Sequence, residues 1–177
     1  KYILFVGTIQ PRKNIARLIE AFAQLSDKSI NLVIVGRPGW MYEEIYKTPQ
    51  KFKVEKRVKF LDNVTDEDLP IFYKNASCFV LPSLYEGFGL PILEAMQNGC
   101  PVITSNTSSM PEAGGDGALY IDPENVNDIA EKIKTVLTDK NLRESMIKKG
   151  YEQVKKFSWE KTARETLKVL EEVDKTK

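Results

Sequence analysis

The stretch Leu81-Pro-Ser-Leu-Tyr-Glu-Gly-Phe-Gly-Leu-Pro-Ile-Leu-Glu-Ala-Met96 joins the end of an apolar run to the start of a helical pattern. Cys78-Phe-Val-Leu81 has the length and apolarity of a strand buried on both faces, and Pro82 and Ser83 stop it. Gly87 and Gly89 allow a tight turn with exposed backbone N–H groups, and Pro91 suits the first helical position, where a missing N–H costs nothing. A helix N-terminus with bare amides attracts anions. Glu86 lies in the loop and Glu94 in the first turn or so of the helix, so both carboxylates are expected to face whatever the amides hold. The pattern suits a ligand that carries phosphate and hydroxyls together.

The totals set the frame around this corner. A chain of 177 residues supports one well-buried domain. A formal net charge of +1 with 29% charged and 42% apolar residues gives neither the basic excess of a nucleic-acid binder nor a disordered composition. No stretch approaches the roughly 18 consecutive apolar residues of a membrane span, and no signal-peptide pattern opens the chain, so the sequence reads as soluble. Cys78 and Cys100 read as reduced structural thiols of a cytoplasmic protein. Histidine is absent, which excludes His-ligated metals and Ser-His or Cys-His catalysis within this chain.

Working outward, the chain opens on a strand at Tyr2-Ile-Leu-Phe-Val6, as a natural protein or an excised domain would. Gly7 and the loop Thr8-Ile-Gln-Pro-Arg-Lys-Asn14 lead into a helical apolar face of Ile15, Leu18, Ile19, Phe22 and Leu25, with Asn14 as the expected N-cap. Arg12 and Lys13 thereby stand before a helix N-terminus, a second anion site, with Lys13 the stronger candidate. Asn31-Leu-Val-Ile-Val35 followed by Gly36-Arg-Pro-Gly39 repeats the pattern of strand, glycine and basic residue. A helical stretch from about Met41 to Val54, interrupted near Pro49, precedes a short strand at Val58–Leu61. Thr65-Asp-Glu-Asp68 opens a further helix carrying Leu69, Phe72 and Tyr73. Asp66-Glu-Asp68 matches a D-x-D metal pattern, but acidic residues at a helix start answer the dipole, and no metal site is expected. Beyond Met96, Pro101–Thr104 reads as a strand and Ser105–Ser109 as a polar loop. Pro111–Gly117 reads as a glycine-rich turn before the strand Ala118–Ile121. Three helices, at about 125–137, 139–157 and 158–173, close the chain before a polar tail from Asp174 to Lys177.

Apolar strands alternating with helices define an α/β, Rossmann-like parallel sheet with helices on both faces and extra C-terminal helices. Ligands bind such sheets off the carboxyl ends of the strands. The loops there collect Gly7, Thr8, Arg12 and Lys13, then Arg37, then Glu86, Gly87, Phe88, Gly89 and Leu90, then Ser105 to Ser109. Cations and amides for phosphate with carboxylates for hydroxyls point to a nucleotide or nucleotide-sugar. The G-x-G-x-x-G and Walker A patterns are absent, which weighs against dinucleotide and NTPase chemistry.

Phe5-Val-Gly-Thr-Ile-Gln-Pro-Arg-Lys-Asn14, Val58–Asp62, Ala76–Ser83, Glu86-Gly-Phe-Gly-Leu-Pro-Ile-Leu-Glu94 and Gly99–Ile103 together resemble the C-terminal, donor-binding half of family 4 retaining glycosyltransferases of GT-B fold. The resemblance implies that Glu94 accepts hydrogen bonds from the nucleotide ribose and that Glu86 lies beside the donor sugar. It implies that Gly87 to Leu90 hold the diphosphate or orient the sugar, and that Lys13 neutralises the leaving diphosphate. It places the base near Lys59, Phe60, Leu61 and Val64. Many family members carry an arginine directly after the first-loop glycine; here that position is Thr8, and Arg12 is the substitute within the loop. Family retention of configuration is explained by front-face attack, which requires no protein nucleophile and no metal.

The same resemblance implies an N-terminal acceptor domain that nothing in these residues supplies. The chain is therefore expected to bind donor but not to transfer, with any peripheral membrane contact made by the absent half. The expected reaction is hexosyl transfer, with a lean toward mannose, from a GDP- or UDP-linked donor to a glycan or lipid-linked acceptor. Two alternatives share the architecture: half of a sugar-nucleotide epimerase, and a non-catalytic nucleotide-binding domain.

Overall fold

The computed structural model of the chain describes residues 1–174. Its apolar runs form β1 (Tyr2–Val6), β2 (Asn31–Val35), β3 (Val58–Leu61), β4 (Cys78–Leu81), β5 (Val102–Ser105) and β6 (Ala118–Ile121). All pair in parallel in one sheet of order β3-β2-β1-β4-β5-β6. Parallel neighbours need crossovers, and helices supply them: α1 (Ile15–Ala23), α2 (Glu43–Lys51), α3 (Leu69–Asn75), α4 (Leu90–Gln97), α5 (Met110–Gly114) and α6 (Val126–Thr138). Two more helices, α7 (Lys140–Val154) and α8 (Trp159–Asp174), follow.

The path runs outward from β1 to β3, returns to β4 beside β1, and then runs outward the other way. With right-handed crossovers this puts the two halves' helices on opposite faces. Accordingly α1 packs on α2 and α6, whereas α4 packs on α3, α5 and α7. Covered on both sides, β4 and β5 are buried along their whole length, which is why their sequences do not alternate. The edge strand β3 instead exposes Lys59, a charge that blocks further pairing.

The order reverses between β1 and β4, which are in register at Ile3 with Cys78 and Leu4 with Phe79. A reversal separates the loops leaving adjacent strands and opens a crevice at their carboxyl ends. Here those loops are Gly7–Asn14 and Pro82–Gly89. A further close approach shapes the rim. The backbone at Gly36 lies so near Gly7 that a Cβ on Gly36 would sit 2.0 Å from the Gly7 carbonyl oxygen. The repeated strand-glycine pattern is thus a contact between two main chains.

Several local expectations are corrected. Asn14 occupies the N-cap position of α1 but makes no side-chain cap; it is left-handed (φ 58°) and its amide is engaged elsewhere. Tertiary hydrogen bonds have overridden local capping. Thr65 Oγ1 accepts from the Asp68 N–H at 3.2 Å in a turn, and α3 begins only at Leu69. Pro111–Gly117 is not a simple turn: residues 110–114 form α5 and 115–117 a 3₁₀ turn, because Met110 and Ala113 bury an apolar side. α2 ends at Lys51 with Pro49 in its last turn. The closing helices occur as expected; Asn125 caps α6 and Asp139 caps α7 through side-chain oxygens. Lys175 to Lys177 of the expected polar tail lie outside the described residues.

Candidate functional site

The crevice is built by hydrogen bonds between loops that are far apart in sequence. The first loop continues the sheet briefly, with the Ile9 N–H donating to the Arg37 carbonyl at 2.9 Å, then closes a 3₁₀ turn at Pro11–Lys13. The buried Asn14 amide donates to the carbonyls of Pro82 (3.0 Å) and Pro123 (2.7 Å), and its oxygen accepts from Arg17 (3.0 Å). One side chain therefore ties together the loops after β1, β4 and β6. The Leu84 N–H adds a bond to the Arg12 carbonyl at 2.9 Å.

This stitching delivers Lys13 and Arg12 to Glu86. Lys13 Nζ lies 2.6 Å from Glu86 Oε1, which also accepts from Ser83 Oγ at 2.6 Å. Arg12 Nη1 lies 3.1 Å from Glu86 Oε2 and also donates to the Tyr85 carbonyl. A Cβ at Gly7 would make only ordinary van der Waals contact with Lys13, 3.6 Å from its Cε and Nζ; it is the φ of 149° that favours glycine there. Burial pushes the Glu86 carboxyl up, but hydrogen bonds from Lys13 and Ser83, the Lys13 charge and the Arg12 bond outweigh it and hold it below the ordinary carboxylate range. Glu86 is thus an ionised acceptor at neutral pH, a state suited to orienting cations rather than to donating a proton. The loop after β5 clamps its backbone, with Ser108 and Ser109 hydroxyls donating to the Glu86 carbonyl at 2.7 and 2.9 Å. Ser105 Oγ, at the base of that loop, is buried without a hydrogen-bond partner among the described residues.

The loop then reaches the start of α4. Gly89 is the N-cap at φ 102°, a conformation glycine adopts without strain, and Pro91 follows one position later than expected, after Leu90. Among the described residues no protein acceptor meets the N–H groups of Gly87, Phe88, Gly89 or Leu90. The helix start therefore presents a row of bare donors at its positive end. Phe88 packs its ring edge-on against Phe157 at 5.5 Å between centroids.

Glu94 sits in the second turn of α4 rather than the first, and faces different partners from Glu86. Its Oε2 accepts from the Tyr73 hydroxyl at 2.9 Å, and no cation lies within ion-pair distance among the described residues. Tyr73 is buried, with its ring edge-on to Phe79. The two glutamates are thus separately held, one by cations and one by a neutral donor.

The structure brings Gly7, Arg12, Lys13, Glu86 and the 87–90 backbone to this one crevice. Thr8 and Arg37 are exposed on its rim. Lys59, Phe60, Leu61 and Val64 belong to or follow β3, two strands from β1, and none contacts the Lys13–Glu86 cluster. Phe60 stacks on Tyr46 at 4.3 Å. Sequence reasoning missed Ser83, read only as a strand terminator, and Tyr73, read only as part of an apolar face. Their roles depend on contacts 3 and 21 residues away. A hollow of about 390 Å³ lies at the other end of the sheet, among Lys1, Lys74, Lys134 and Arg143. Arg143 answers the C-terminus of α6 there, donating to the Val136 and Leu137 carbonyls.

A parallel α/β sheet that gathers cations, bare amides and a carboxylate at its switch point has the chemistry to receive phosphate and hydroxyl groups. Residues 1–153 match the family described as glycosyl transferases group 1, and the chain belongs to that family. It is 41% identical over 169 residues to the O-antigen chain mannosyltransferase B of Escherichia coli, covering 94% of this chain and 44% of that protein. The chain thus spans less than half the length of that relative. Sucrose-phosphate synthase of Thermosynechococcus elongatus superposes with a TM-score of 0.85 at 30% identity, covering 99% of this chain and 46% of that one. The C-terminal domain of a group 1 family protein from Francisella tularensis gives 0.77 at 26% identity, covering 88% and 85% respectively. The Rossmann-like half of a GT-B fold expected from the sequence is the fold found.

Proposed function

We infer that this chain is the donor-binding half of a hexosyltransferase that uses a nucleoside-diphosphate sugar. The observation that carries the reading is the meeting of Lys13, Arg12 and the bare 87–90 amides at one switch point, with Glu94 left free of cations beside them. Cations and amides receive the diphosphate, and Glu94 accepts from ribose hydroxyls. As the glycosidic bond breaks, negative charge grows on the leaving diphosphate, and Lys13 and the positive helix end stabilise it. Glu86 holds Lys13 and Arg12 in place through its two oxygens and lies beside the sugar. Arg12 supplies the second cation that Thr8 does not.

In this reading the diphosphate charge falls to these side chains and amides and no metal takes part. The likeness to a mannosyltransferase favours mannose as the sugar and GDP as its carrier, with UDP the alternative, and a glycan or lipid-linked acceptor. The loop after β3 receives the base, with Lys59, Phe60, Leu61 and Val64 around it. Transfer proceeds with retention of configuration in the cytoplasm. No helix among the described residues is long and apolar enough to cross a membrane.

An N-terminal acceptor half completes the enzyme. Within this chain α8 is uncovered, with Trp159 77% and Leu170 62% exposed, and it docks on that half. Calorimetric titration of the chain with GDP, UDP, GDP-mannose and UDP-glucose tests the reading. One nucleotide binds, Glu94→Gln weakens it, and no sugar is transferred by this chain alone. Absence of binding by all four refutes the donor site, and transfer by the chain alone refutes the division into halves.

A further inference from the structure

We propose that Tyr73 is a positioning residue for Glu94, holding one carboxylate oxygen so that the other is aimed at the ribose diol of the bound nucleotide. The inference rests on the site reading above and adds to it a residue on a different helix. Tyr73 is 1% exposed, at the end of α3, with its ring edge-on to Phe79 of β4 at 5.5 Å. Its hydroxyl donates to Glu94 Oε2 at 2.9 Å. The two partners are unequal. Tyr73 is walled in and has one place to point, whereas Glu94 is only half-buried on a flexible stem with several rotamers open to it. The bond therefore fixes the glutamate more than it fixes the tyrosine.

The chemistry agrees. Burial, then the nearby Glu94 charge, push the Tyr73 phenol up, so it remains a donor across the accessible pH range. A carboxylate held by one neutral donor and paired with no cation leaves its second oxygen to a ligand that donates. Vicinal hydroxyls are such a ligand, whereas phosphate would be repelled. Lys13 and Arg12, the cations for phosphate, pair with Glu86 instead. Phosphate and ribose thus have separate anchors, and Tyr73 sets the angle of the second.

The test compares GDP and UDP with their 2′-deoxy forms, by calorimetry, on the parent chain, Tyr73→Phe, Glu94→Gln and the double variant. Phe fills the same space, so packing against Phe79 is kept. The parent prefers the ribonucleotide, and Glu94→Gln loses that preference. Tyr73→Phe is expected to weaken the ribonucleotide on the order of ten-fold, a hydrogen bond to a charged group, while leaving the deoxynucleotide near the parent affinity. The double variant is no weaker than Glu94→Gln. If Tyr73→Phe lowers the thermal midpoint but preserves the ribo-to-deoxy ratio, the bond is structural and the proposal is overturned. If Glu94→Gln binds ribonucleotide as the parent does, the ribose reading of Glu94 itself fails, and the two failures are told apart.

Discussion

Removing the Glu86 carboxylate should destabilise the chain by an amount that its surroundings set. The side chains of Lys13 and Glu86 are 10% and 9% exposed and 2.6 Å apart, whereas Arg12 is 37% exposed. Deleting one member of a buried pair leaves the other charged in a poor solvent, at a cost of about 3–5 kcal/mol. Glu86→Gln keeps an acceptor for Lys13 and belongs at the lower end, about 3 kcal/mol, or roughly 6–12 °C in midpoint for a domain of this size. Arg12 can rehydrate, and its share is under about 1 kcal/mol. Lys13→Met leaves Glu86 with Arg12 and Ser83 and should cost about 2 kcal/mol, the loss of one charged hydrogen bond. The double variant removes both charges, so it should be less destabilised than the sum by about 2 kcal/mol. Urea unfolding of the four proteins, followed by circular dichroism, measures the cycle. The pH dependence gives a second reading. The folded carboxyl lies below its unfolded value near ~4.3, so the stability it contributes is present above that value and lost as pH falls through the folded one. The gap between parent and Glu86→Gln should therefore narrow as pH drops below about 4. Single variants that cost under about 0.5 kcal/mol and add without coupling, or a gap that widens in acid, would refute the reasoning.

Two further outcomes follow from packing. Gly36→Ala places a methyl 2.0 Å from the Gly7 carbonyl oxygen, backbone against side chain with nothing flexible to yield. It should cost roughly 2–4 kcal/mol and speed hydrogen exchange at the Gly7 N–H, which donates to Val35; unchanged urea midpoints would contradict the close approach. Deleting the chain from Trp159 onward removes a helix whose residues Trp159–Val173 are all exposed, so unfolding free energy should change by less than about 1 kcal/mol. A midpoint lowered by more than about 5 °C in a thermal scan would show that α8 packs on the sheet in solution.

How far the site was legible differs from residue to residue. Lys13 stands just before a helix start and Glu86 beside Gly87 at a strand-to-helix corner, places where a bound anion is favoured for local reasons visible in one dimension. Asn14 looked like a local cap of α1, yet its amide serves carbonyls of Pro82 and Pro123, 68 and 109 positions away. Residue type limited Asn14 to hydrogen bonding, but only the fold chose its partners. Tyr73 is a sharper case, since a tyrosine on an amphipathic helix face reads as core, and core it is; its hydroxyl acquires meaning only when α3 lies against α4. The same holds for the short helix at Met110–Gly114, where glycines argued for a turn and buried contacts of Met110 and Ala113 prevailed.

By itself the sequence of apolar runs, helical periods and glycine corners determined a parallel α/β sheet, and with it the end of the sheet where ligands bind, because those features act over a few residues. Which strands became neighbours at the switch point, and therefore that Lys13, Arg12 and Glu86 form one cluster while Glu94 answers to Tyr73, was decided by tertiary structure alone. Pairing of charges and donors depends on distances of about 3 Å between loops remote in the chain, and such distances exist only once the sheet has closed around its core.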